Sequence, residues 1–208
     1  VDLPFDEMEL QELLREVDAV FVTHTHRDHW DVAAQELIDK KKPIFCQPVD
    51  EALIRGHGFQ NVQSIDDHLS WRGIEIHRTG GQHGTGKIGA LMGPVSGFVF
   101  VQNGQSIYVA GDTIWCEEVK NALDQYQPDY TILNAGGAQF LEGDPITMTP
   151  EDVMAVHNHF PSTQIIAVHM DTINHCFVKR KDLQQHLRTS GIVNEVAIPS
   201  DGEIVNLC

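Results

Sequence analysis

An α/β domain is what this sequence predicts, and three observations predict it. Short apolar runs alternate with amphipathic helical patterns, the connections between them are brief, and four polar clusters, at His24, Asp112, Asn134 and His169, each follow the end of an apolar run. Functional sites commonly assemble on the rim where such strands end. With 208 residues and 41% hydrophobic content, the chain is long enough for one sizeable core, so a single domain over residues 1–208 is expected.

The elements follow in order. Leu10, Leu13, Leu14 and Val17 form one apolar helical face after Asp6, a suitable N-cap. The run from Asp18 to Val22 is a short buried strand that ends directly at Thr23-His24-Thr25-His26. A helix is expected from about Trp30 to Asp39, a strand from Pro43 to Cys46, and a helix from Pro48 to Arg55 closed by Gly56. Gly73 to Thr79 alternates as a strand, and the glycine-rich stretch from Gly80 to Gly97, carrying His83, reads as a long ordered loop. Ser96–Gln102 and Gln105–Ala110, joined by Asn103-Gly104, predict a β-hairpin with a type I′ turn. A helix near Glu117 to Tyr126, a strand from Asp129 to Leu133, a helix opened by Thr149-Pro150-Glu151-Asp152 and a strand from Gln164 to Val168 complete the alternation.

Composition narrows the function classes. The formal net charge of −16 disfavours nucleic acid as a partner, since phosphate contacts need clustered Lys and Arg. No apolar run approaches the length of a membrane span, and Val1 to Arg15 is acidic and amphipathic rather than a secretory leader. Cys46, Cys116, Cys176 and Cys208 show no CxxC spacing, so a zinc ribbon or disulfide scaffold is not expected. Cys46 and Cys116 read as small buried thiols, and a cytoplasmic location fits. The expected partner is a small-molecule substrate, with a homo-oligomer left open.

His24-x-His26-x-Asp28-His29 packs four candidate ligands onto the loop leaving a buried strand. Two alternate histidines can face one ion while the Asp-His pair faces a second. Imidazole and carboxylate suit Zn²⁺, with Mn²⁺ or Fe²⁺ as alternatives, and a catalytic site needs about three protein ligands per ion plus an open position for water. The competing reading, a polar loop that happens to be rich in histidine, leaves the later clusters unexplained.

With these residues in view, the sequence resembles the metallo-β-lactamase superfamily over nearly its whole length. His24, His26, Asp28 and His29 stand as its HxHxDH motif, His83 in Gly81-Gln82-His83-Gly84 as the next histidine, Asp112 in Gly111-Asp112-Thr113 as the bridging aspartate, and His169 in Val168-His169-Met170 as the last ligand. The resemblance implies that His24, His26 and His83 hold one ion, that Asp28, His29 and His169 hold the other, and that Asp112 bridges them. It also implies a four-layer αββα sandwich with the site at one edge. Several strands usually precede the motif in this family, so the resemblance implies an N-terminally incomplete copy with all seven ligands kept. Thr79–Gly86, Gly111–Cys116 and Asn174-His175-Cys176 look closest to the branch containing ascorbate-phosphate lactonase.

The expected function is a dinuclear metal-dependent hydrolase in which a hydroxide shared by the ions attacks an ester or lactone of a small metabolite, phosphorylated or not, with Asp112 orienting the nucleophile. A phosphodiesterase is the alternative, and a metal-stabilised scaffold without turnover the third. His175 is a candidate proton donor to the leaving group or a partner of a ligand. Lys179 and Arg180, with Lys181, read either as a solvated face or as an anion clamp. Asn134 either orients a ligand or caps a turn, the latter favoured. Gly84-Thr85-Gly86-Lys87 lacks the context of a phosphate loop.

Overall fold

Two β-sheets lie face to face in the computed structural model, which describes residues 4–207, and each turns its outer side to helices. The first part of the chain runs α1 (Glu7–Glu16), β1 (Val20–Val22), α2 (Val32–Leu37), β2 (Ile44–Cys46), a 3-10 turn (Pro48–Asp50), α3 (Glu51–Gly56) and β3 (Val62–Ser64). It continues with β4 (His68–Trp71), β5 (Ile74–Thr79), α4 (Gly86–Met92), β6 (Gly97–Gln102), β7 (Gln105–Val109), α5 (Glu117–Tyr126) and β8 (Tyr130–Asn134). Next come α6 (Pro150–His159), β9 (Gln164–Val168), α7 (Arg180–Thr189) and β10 (Val196–Ala197). Helix starts are chemically marked. Asp6 with Glu9 and Thr149 with Asp152 form capping boxes, and Asp31 accepts from the Ala34 amide.

The period of two along each strand sorts side chains into three apolar layers. In the parallel sheet β1-β2-β3, Val22, Ile44, Cys46 and Val62 face outward onto Ile54 of α3, with Leu14 of α1 and Ala34 of α2 beside them. Phe21 and Phe45 point the other way and meet Phe98 and Phe100 of the second sheet, Phe21 stacking on Phe45 at 4.8 Å between ring centres. In that seven-stranded sheet, Val99 and Tyr108 face outward onto Val119 and Leu123 of α5, Val153 and Val156 of α6, and Leu183 and Leu187 of α7. The result is the four-layer αββα sandwich.

Topology then places the polar clusters. Strands β7, β8, β9 and β10 are mutually parallel, so the segments after β7, β8 and β9 leave at one edge, carrying Asp112, Asn134 and His169. Ser96 donates its amide to the Thr23 carbonyl, which fastens the loop after β1 to the same edge.

Several boundaries differ from expectation. The helix expected to begin at Trp30 starts at Val32, because Asp31 caps it while Trp30 is buried in the core. Helix α3 runs through Gly56, and the backbone reverses at Gly58, where φ is +88°. The glycine-rich stretch is not all loop: α4 lies inside it, closed by Gly93 at φ +76°. Strands β3, β4 and β10 carried no readable period, being two to four residues long. The hairpin turn is as expected, with Asn103 and Gly104 both at positive φ.

Candidate metal centre

The loop after β1 is folded by its own backbone. The amides of His29 and Trp30 both donate to the His26 carbonyl, and the Trp30 indole, buried, donates to His57 Nδ1. Anchoring Trp30 in the core in this way turns Asp28 and His29 back towards His24 and His26. Gly111 has φ +72°, and a Cβ there would meet the Ser96 carbonyl at 2.8 Å, so only glycine lets the chain deliver Asp112 at this point. His169 itself sits at φ +60°, a left-handed conformation uncommon for a residue with a side chain and frequent at functional sites.

The seven candidate ligands converge as two groups. Ligand atoms of His24, His26 and His83 lie within 4.8 Å of one another, and so do those of Asp28, His29, Asp112 and His169. Asp112 Oδ2 stands between the groups, 3.1 Å from His29 Nε2, 3.6 Å from His83 Nε2 and 4.0 Å from His24 Nε2. His169 Nε2 lies 3.4 Å from Asp28 Oδ2 and 3.8 Å from Asp112 Oδ1.

Outer contacts fix which ring nitrogen each histidine presents. His83 Nδ1 donates to the Ile146 carbonyl at 2.7 Å and His26 Nε2 to the Met92 carbonyl at 3.1 Å, leaving His83 Nε2 and His26 Nδ1 for the centre. Thr23 Oγ1 lies 3.1 Å from His24 Nδ1. Asn134 Nδ2 donates to Asp112 Oδ1 at 2.6 Å, so Oδ2 is turned inward. The nitrogens His24 Nε2, His29 Nε2 and His169 Nε2 are buried without a hydrogen bond. Each such orphan costs about 1–3 kcal/mol, and three aimed at two carboxylates make a donor set that fits a bound cation.

Ionisation agrees with that fit. Burial, reinforced by the charge of His29, pushes His24 down to about 3, and burial likewise lowers His83, so both present neutral imidazoles. Burial alone would raise Asp112, but the close contact and charge of His29, with His169 and the hydrogen bond from Asn134, hold it far below the carboxylate range. The contact with His169 lowers Asp28 to about 2. Burial opposes charge on His169, yet Asp28, Cys176 and Asp112 together push it up to about 10.

A cavity of about 340 Å³ opens on this cluster, reached by His26, Asp28, His83 and Asp112 and walled by Met92, Phe140 and Ile146. Arg27, Thr25 and His175 complete its lining.

The model of the beta-lactamase superfamily domain matches residues 4–170. This chain belongs to the metallo-β-lactamase superfamily. It is 34% identical to the UPF0173 protein YddR of Bacillus subtilis, over 93% of this chain and 78% of that one. The crystal structure of a possible metal-dependent hydrolase from Veillonella parvula superposes with a TM-score of 0.94 at 40% identity, covering 100% of this chain and 81% of that one. The isothiocyanate hydrolase from Delia radicum gut bacteria superposes with a TM-score of 0.92 at 38% identity, again covering 100% of this chain and 81% of that one. The protein is a metal-dependent hydrolase of the superfamily.

Within this metallo-β-lactamase fold, two expectations are corrected. Asn134 does not cap a turn: its amide holds the Asp112 carboxylate, because β8 ends one strand away from β7 with the side chain buried. The reading of Arg180 as half of an anion clamp with Lys179 is the second. Arg180 pairs with Asp171 and Asp201 and donates to the Pro199 carbonyl, Lys179 forms the N-terminal cap position of α7, and neither lines the cavity. His175 does line it, with Nδ1 3.1 Å from Asn174 Oδ1. Cys46 and Cys116 are buried as expected, and Cys208 lies outside the described residues. Sequence reasoning gave no role to Cys176, whose buried Sγ lies 3.6 Å from the His169 carbonyl oxygen and 3.8 Å from its Nδ1. It also missed the Met92 and Ile146 carbonyls, which any residue type supplies.

No helix among the described residues is long and apolar enough to cross a membrane.

Proposed function

We propose that this protein is a dinuclear metallohydrolase that adds water to the electrophilic carbon of a small, largely apolar molecule, with an isothiocyanate as the first substrate class. The observation that carries this reading is the cavity. Met92, Phe140 and Ile146 wall it directly beside Asp28 and Asp112, while Arg180 is paired with Asp171 and Asp201 away from the cavity and Arg27 is the basic side chain on its lining. Support comes also from the 38% identity over the whole chain to an isothiocyanate hydrolase.

His24, His26 and His83 would hold one divalent ion and Asp28, His29 and His169 another, with Asp112 shared, zinc being the first choice for these donors. Ions bound there would supply water activated at neutral pH and Lewis-acid polarisation of the substrate. The chain's own part is orientation and proton handling. Asp112, fixed by Asn134, keeps Oδ2 aimed at the reacting region. His175 faces the cavity and gives a proton to the substrate nitrogen as the new C–O bond forms and the carbon–nitrogen double bond yields its electron pair to nitrogen; the water's own proton passes to solvent, and the thiocarbamate so formed then breaks its C–N bond, its nitrogen taking up a further proton, to release the amine and carbonyl sulfide.

A lactone or ester is the second reading, since attack on a carbonyl carbon makes the same demands and His175 would then protonate the leaving oxygen. Metal analysis followed by a panel of an isothiocyanate, a lactone, a thioester and a phosphodiester, with and without chelator, tests both. Chelator-sensitive release of amine from the isothiocyanate is expected; turnover confined to the phosphodiester would overturn the proposal.

A further inference from the structure

We infer that Phe140 and His175 form one wall of a subsite for a flat, apolar substituent of the substrate, an aryl arm rather than a short alkyl one. The inference rests on the reading of the cavity as an active site and adds what the non-reacting end of the substrate must be.

The two rings come from separate loops that are fastened together. The Ala138 and Cys176 backbones form an antiparallel bridge, and the Gln139 amide donates to the His175 carbonyl at 3.1 Å. Below them Ala138, Ile146 and Cys176 are buried and pack with Ile88, Met92 and Ile173. Phe140 and His175 are thereby held parallel within 4°, their centres 6.1 Å apart.

Phe140 nevertheless leaves 42% of its surface exposed while lining the cavity. A large aromatic ring held in place and left half uncovered does little for the fold, and its free face is available to a ligand. With Met92 and Ile146 also on the cavity wall, the geometry offers an aryl group a ring to stack on and apolar side chains to exclude water. A methyl group would reach the reacting region without touching most of this surface.

The test uses binding as well as turnover. Calorimetric titration of the zinc-loaded protein with N-benzylthiourea and N-methylthiourea, which carry the arm on a thiocarbonyl carbon deactivated by two nitrogens, is compared between wild type, Phe140→Ala and Phe140→Leu. Wild type is expected to bind the benzyl probe about tenfold more tightly than the methyl probe, with the ratio falling to within about twofold in Phe140→Ala and between the two in Phe140→Leu. A wild-type ratio near one, or a ratio that survives in Phe140→Ala, overturns the subsite. A normal ratio with no hydrolysis of benzyl isothiocyanate would sink the substrate reading while leaving the subsite standing.

Discussion

The two halves of the candidate metal centre solve the same problem differently. His24, His26 and His83 offer imidazoles, two of them buried and lowered by that burial, each held by a neighbour through its other nitrogen. Asp28, His29, Asp112 and His169 form a more exposed, charge-compensated group in which protonated His169 stands in for a cation beside Asp28. The first half is preorganised for an ion by burial, whereas the second is preorganised by electrostatics and must release a proton when an ion enters.

The largest expected effect comes from removing what the halves share. Asp112→Asn should lower hydrolysis by about a thousandfold or more and reduce metal content in both halves, read by metal analysis alongside the rate; normal values of both would end the bridging role. His83→Ala should instead cost one ion of two and at least about a hundredfold in rate, leaving the second half loaded. Loss of both ions would mean the halves are not separable.

Asn134→Ala sharpens the comparison by loosening Asp112 without removing a ligand. A drop of about 10- to 100-fold in metal affinity or rate is expected, the scale for partners that orient ligands. An unchanged affinity would reduce Asn134 to packing.

Titration separates the halves by sign. In the metal-free chain His169 is pushed up to about 10, so a cation binding there displaces a proton and its affinity should rise about tenfold per pH unit from neutral pH until pH approaches 10. His24, pushed down to about 3, carries no proton to displace over that range, and the three-histidine half should be far less dependent on pH. Metal titrations at three pH values distinguish the slopes; equal slopes would refute the assignment of the proton to His169.

The smallest effect belongs to Arg180→Ala. Its partly exposed ion pairs with Asp171 and Asp201 predict a stability loss of about 1 kcal/mol or less in a denaturant melt and an unaltered KM. A large rise in KM would restore the anion clamp.

The legible parts of the sequence were those with a local cause. The β6–β7 hairpin followed from Asn103-Gly104, the start of α6 from Thr149-Pro150, and the strand ending at His24 from an apolar run meeting a cluster of ligand-type residues. Helix α4 was hidden because the seven residues from Gly86 to Met92 include two glycines, and β3 because one buried valine in three residues has no period. The Arg180 clamp misled because a basic residue in sequence does not reveal that Asp171 and Asp201 will fold against it.

The sequence by itself determined the ligand types, their order along the chain and the alternation of apolar runs that makes an α/β domain, since these depend on side-chain chemistry and on periods of two and 3.6 residues. Tertiary structure alone decided the rest. That Asn134 grips Asp112, that the Met92 and Ile146 carbonyls set the faces of His26 and His83, and that Phe140 meets His175 are all contacts across 22 residues or more of chain. Such contacts depend on which strand edges and loops packing brings together, and nothing near either partner in the sequence encodes it.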